Sequence, residues 1–242
     1  MSIADKIARA KADLDEVFEA GKQAEWNAYW DAYQDYGKRT GYNKAFAEKG
    51  WNDVTFKPKY DIRPSWAIVE TFNNCGITDL EAILQECGIV LDTSNNYNYS
   101  QSFASAKFTV LPEIVFSDFA GITYETFGNC TELHTIRKIN LKTGFDCAMN
   151  DTFKGCTALE NVVFDGVIPK NINMQWSTKL SKASITSIIN ALSTTTSGLT
   201  VTLSATAVNN AFATSTGAGN GSTSAEWLAL VATRYNWTIS LA

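Results

Sequence analysis

Histidine is almost missing from this chain of 242 residues: His134 is the only one. Catalytic dyads and triads that need an imidazole base therefore have a single candidate, and zinc sites built on Cys and His spacing lack their ligands. The five cysteines, Cys75, Cys87, Cys130, Cys147 and Cys156, contain no CxxC pair and are odd in number, so they read as small buried thiols rather than a disulfide framework. Apolar runs are only a handful of residues long, too short for a bilayer span of about 20 residues. The start, Met1-Ser2-Ile3-Ala4-Asp5-Lys6, is not a classical signal peptide. A net charge of −5 without any basic run is mild and of the wrong sign for nucleic acid, so no nucleic-acid partner is expected.

What is present is a globular composition, 45% apolar and 19% charged, enough for a sizeable core. Residues 1–37 read as one long amphipathic helix of roughly 50 Å, opened by Ser2 and Asp5 in a capping-box-like pattern. Ile3, Ile7, Ala10, Leu14, Val17, Gly21, Ala24 and Ala28 fall at 4-3 spacing, so residues 1–25 are a candidate coiled-coil seam for homo-oligomerisation. An amphipathic helix lying on its own domain is the competing reading. Trp26, Tyr29, Trp30, Tyr33 and Tyr36 lie on a second face, expected to dock on the body. Residues 38–65, punctuated by Gly41, Gly50, Pro58 and Pro64, form a connector. Residues 1–65 carry 11 basic and 11 acidic side chains, so the net charge belongs to the rest.

From Phe72 the chain repeats itself. Phe72-Asn73-Asn74-Cys75, Phe103-Ala104-Ser105-Ala106, Phe127-Gly128-Asn129-Cys130 and Phe153-Lys154-Gly155-Cys156 share a Phe-x-x-small frame, 31, 24 and 26 residues apart. A second marker, Ile89-Val90-Leu91, Ile114-Val115-Phe116 and Ile139-Asn140-Leu141, recurs every 25 residues, and Val162-Val163-Phe164 follows 23 later. Units that cannot bury an apolar edge alone stack it on the next, which predicts columns of Phe and Cys. Cys130-Thr131-Glu132-Leu133-His134-Thr135-Ile136 and Cys156-Thr157-Ala158-Leu159-Glu160-Asn161-Val162 resemble the BspA-like class of bacterial leucine-rich repeats, whose units read F-x-x-C-x-x-L-x-x-I before a strand. The resemblance covers residues 66–168. Residues 66–170 are accordingly expected to form leucine-rich-repeat-like coils.

Residues 171–242 contain only four charged side chains, Lys179, Lys182, Glu226 and Arg234. Helices are predicted over 181–192 and 224–235, and strands over 199–203 and 237–241. The segment is expected to be the remnant of the repeat and its end cap. The Gly-rich turn 216–221 lacks the Lys-Ser/Thr of a phosphate loop and reads as a connecting loop. The expected fold is therefore α/β: a leucine-rich-repeat-like solenoid with an N-terminal long helix and a C-terminal α/β cap.

Candidate site residues follow from the repeat geometry. Thr135, Arg137, Lys138, Asn161 and Val163 occupy positions that such strands direct outward. Tyr97 and Tyr99, set among the amides of Asn95, Asn96 and Asn98, offer ring faces and amide donors suited to sugars or peptide backbones. Packing against the neighbouring coil is their competing reading. His134 and the scattered carboxylates Glu113, Asp118, Asp146, Asp151 and Asp165 make no catalytic constellation, so no catalytic residue, metal site or cofactor is expected. The chain layout is also similar to small repeat proteins encoded in prophages of gut bacteria. That similarity implies a setting, tail-associated or host-recognising, and not an activity; with no catalytic constellation the chain is expected to be a non-catalytic binding or structural module, and without a classical signal peptide to lie in the bacterial cytoplasm or on a virion. The alternative is a surface-type adhesin module binding glycan or protein.

Overall fold

The computed structural model describes residues 61–63, 67–213 and 221–242, together with residues 9–14, 16, 17, 20, 21, 24 and 28. The last group is helical and exposed, and of the expected seam it includes Leu14 and Val17 with their side chains in solvent. The aromatic set from Trp26 to Tyr36, the connector up to residue 60 and most of the Gly-rich turn lie outside the described residues. No described helix is long and apolar enough to cross a membrane.

The described body begins with bridges from Ile62 to Leu91 and from Ala67 to Asn98, then α1 (Leu80–Cys87). Strands β1 (Val110–Phe116), β2 (Thr135–Leu141) and β3 (Asn161–Asp165) form a parallel sheet in that order. After β4 (Ile172–Met174) come α2 (Lys182–Ala191), β5 (Leu199–Leu203), α3 (Ala205–Ala211), α4 (Ala225–Ala232) and β6 (Trp237–Leu241). Strands β4, β5 and β6 make a second parallel sheet. Each of these four helices starts on a side chain that accepts the backbone N–H three residues on: Asp79, Ser181, Ser204 and Ser224.

This corrects the expected architecture. Among the described residues the fold is α/β with two small three-stranded parallel sheets, not one leucine-rich-repeat-like solenoid running into a cap. The reason lies at the outer edge of β3. There the N–H groups of Val162 and Phe164 donate to the hydroxyls of Ser184 and Ser187 on α2, each at 2.9 Å. A helix thus takes donors that a fourth strand would use, and the sheet stops. The opposite edge is met at two points: Asp79 bridges Val110, and Thr93 Oγ1 accepts from Val115 N–H at 2.9 Å and donates to Val115 O at 2.7 Å.

Opposite the first sheet, turns stack beside one another. The rings of Phe72, Phe103, Phe127 and Phe153 lie parallel within 25°, with successive centroids 5.4, 5.5 and 5.4 Å apart. Asn74, Ser105, Asn129 and Gly155, each two residues after a Phe, all adopt positive φ, between 52° and 74°. Gly and Asn hold that conformation most readily, which accounts for three of the four. A hydroxyl precedes each Phe, and in three turns it bonds the carbonyl three residues back: Thr71 to Ile68, Ser102 to Tyr99 and Thr126 to Thr123. Thr152 instead reaches across to the Thr123 carbonyl at 3.0 Å. Cys75, Ala106, Cys130 and Cys156 are buried behind the rings, and none of the five cysteines is in a disulfide. The thiols of Cys130 and Cys156 donate to the carbonyls of Phe103 and Phe127, at 2.9 and 3.0 Å.

Candidate functional site

The outward face of the first sheet holds five of the residues singled out in the sequence. A register shift between Ile136 and Ile139 lets both intervening residues of β2, Arg137 and Lys138, avoid the core. Thr135 sits opposite Asn161 on β3, and Asn161 and Val163 are exposed. The cations here are already matched. Arg137 pairs with Glu81 of α1, while Lys138 Nζ lies 3.0 Å from Glu113 Oε2 and 3.6 Å from Asp165 Oδ2. Asn140 Nδ2 donates to Glu113 Oε1 at 2.7 Å. Burial opposes ionisation of Glu113, yet the Asn140 amide and the Lys138 ammonium together hold its carboxyl below the usual range. The face is therefore a flat, self-neutralised plane with Val163 on it. It suits broad, weak contact more than capture of a single charged ligand.

The two tyrosines part company. Tyr99 is fully buried, edge-on to Phe116 at 4.7 Å, so it is no surface contact and its expected role is corrected to a core one. Its hydroxyl donates to the Thr93 carbonyl at 2.8 Å and accepts from Ser117 N–H at 2.9 Å. Burial pushes its pKa up to about 12. Tyr97 stays 37% exposed and lies over Gly121, where an added Cβ would overlap the ring. The Gly121 N–H donates to the Tyr97 carbonyl at 2.9 Å, so backbone and ring both require this close approach.

Beyond Gly121 opens a hollow of about 410 Å³ whose lining includes Ile122, Tyr124, Asp146, Asn150 and Asp151. Tyr124 is 51% exposed. Lys170 Nζ stands 3.3 Å from Asp146 Oδ1 on the surface. The hollow is lined by Tyr124 together with carboxylate and amide side chains, the Tyr97 ring lies at its rim against Gly121, and Thr123 is fixed by a 2.7 Å bond from its hydroxyl to the Ala148 carbonyl. Tyr124, Asn150 and Gly121 escaped the reading of the sequence. The available signal was spacing: Tyr124 follows Tyr97 by 27 residues, about one repeat.

A second concavity, of about 320 Å³, lies past the ends of β2 and β3 between Lys142, Gly144, Val167 and Thr195. His134 Nδ1 lies 3.8 Å from Glu160 Oε1 in an exposed pair. Among the described residues no group of three or more His, Cys, Asp or Glu is placed to hold a metal ion. No protein-family model, curated protein or solved structure matches the chain.

Proposed function

We propose that the chain is a non-catalytic binding module for a neutral glycan, received in the hollow beside Tyr97 and Tyr124. The observation that carries this reading is the seating of Tyr97 over Gly121 next to the half-exposed Tyr124, Asp146, Asn150 and Asp151. A sugar ring has an apolar C–H face and a rim of hydroxyls. Tyrosine faces take the first, and carboxylate and amide groups take the second through hydrogen bonds. The open shape holds each sugar weakly, and several copies acting together supply useful avidity. A tail-associated or host-recognition role, the setting suggested by the prophage-like layout of the chain, makes use of such avidity. A surface adhesin is the second reading, supported by the same hollow.

Calorimetry or ligand-observed NMR with a panel of neutral bacterial oligosaccharides tests this. Binding is expected for the intact chain, and Tyr97→Ala/Tyr124→Ala should abolish it with the fold intact. Capture unchanged by that double substitution removes the hollow from the site, and reproducible turnover of a substrate by the pure protein overturns the non-catalytic reading.

A further inference from the structure

Among the described strands, β6 is set apart by its edge. The outer edge of β1 is met by Thr93, that of β3 by Ser184 and Ser187, and β4 is bridged by Met149. Strand β6 pairs in parallel with β5 along its whole length, and beyond the Trp237 N–H, which donates to the Arg234 carbonyl at 2.9 Å, no described residue bonds its other side. The Ala242 N–H donates to Leu203 O, and Ala242 O accepts from Ala205 N–H, so residue 242 faces β5. Because N–H and C=O alternate sides along a strand, Thr238 and Ser240 also face β5, and Ile239 and Leu241 aim theirs outward.

Exposed edges are normally blunted by charge, proline or a bulge. Trp237-Thr238-Ile239-Ser240-Leu241 has neither charge nor proline, and its register with β5 is unbroken. The charges nearest in sequence are engaged elsewhere: Arg234 donates to the carbonyls of Leu192 and Asn190, and Glu226 pairs with Lys182. The chain leading to the strand also leaves Tyr235 90% exposed.

We infer that β6 pairs with β6 of a second copy of this chain, antiparallel about a two-fold axis at Ile239. The other described strand edges are each met by a side chain or a bridge, so the edge of β6 is the longest one left for a copy to meet with its own. A strand that opposes itself needs a neutral sequence, and this one is neutral. In that register Ile239 faces Ile239 of its partner in a hydrogen-bonded pair, Leu241 faces Trp237, and Thr238 faces Ser240 with side chains in contact. The dimer presents two hollows on one particle and so raises avidity for a repeating ligand.

Sedimentation of the full chain over a concentration series should show a monomer–dimer equilibrium. Thr238→Lys/Ser240→Lys places ammonium groups opposite one another and should weaken the dimer at least roughly tenfold at low salt. Both positions are at least partly exposed, so the variant keeps its fold, verified by an unchanged circular dichroism spectrum. Mixing it with Thr238→Glu/Ser240→Glu should restore a heterodimer, which no other association surface would do. A chain that is monomeric throughout, a dimer indifferent to the lysines, or a dimer lost only when residues 1–25 are removed each overturns the inference.

Discussion

Val162 donates its backbone N–H to the hydroxyl of Ser184, 2.9 Å away, and that hydroxyl in turn donates to the carbonyl of Glu160 at 2.9 Å. One helix side chain thereby closes both a donor and an acceptor at the edge of β3. Ser184 is buried, so water cannot replace it. Ser184→Ala should cost about 1–3 kcal/mol, the penalty for an orphaned buried N–H. Denaturant unfolding measures the loss, and faster hydrogen exchange at Val162 locates it. Unchanged exchange would mean that α2 does not terminate the sheet.

The thiols behind the phenylalanine rings should be inert. Burial pushes Cys130 up to about 12 and Cys156 well above its ordinary value, so neither supplies thiolate near neutrality. A thiol reagent applied to the native protein should modify the half-buried Cys87 and Cys147 first and the buried three only on unfolding. Cys130→Ala should be mild, on the order of 1–2 kcal/mol, since Ala106 already fills the equivalent place in its own turn.

Alkaline pH should destabilise the fold. Cys130 and Tyr99 both have folded pKa values raised above those of the unfolded chain, so their contributions are complete below the unfolded values and fall as pH climbs toward the folded ones. The window runs from about pH 9 for the thiol and pH 10 for the phenol up to about 12. Thermal melts across this range should show a steep decline, and Tyr99→Phe should remove part of its slope while lowering stability near neutrality by about 1–3 kcal/mol, because Ser117 N–H loses its acceptor.

Gly121→Ala should separate binding from stability. Its Cβ would overlap the far end of the Tyr97 ring and shift it, so glycan capture should fall while the melting temperature changes by a few degrees at most. Gly155→Ala should behave oppositely: at φ +74° and against the Asn129 side chain, it strains a buried turn and costs about 1–3 kcal/mol without touching the hollow.

The phenylalanine frame was legible because every turn carries a small residue, Cys or Ala, three places on, and stacked rings demand that spacing. The serines of α2 were not: Ser184 and Ser187 look like ordinary helix polar residues, and their use as an edge depends on where the helix lands. Tyr97 and Tyr99 misled for a local reason. Residues two apart share a face only in a continuous strand. Here Asn98 makes single bridges to Ala67 and Ile122, and its side chain turns the chain by accepting from Ser100 N–H at 2.9 Å. The pair is split, one ring out and one in. The sheet-face residues from Thr135 to Val163 do lie on one surface, but their pairing with Glu81, Glu113 and Asp165 depends on α1 and on strand register, neither of which spacing alone specifies.

The most direct measurement is an amide NMR titration of the intact chain with the neutral oligosaccharides that bind it. Shifts confined to Gly121, Ile122, Tyr124, Asn150 and Asp151, absent in Tyr97→Ala/Tyr124→Ala, are the predicted result. Shifts on the sheet face around Lys138 and Asn161 with the hollow silent would contradict the account.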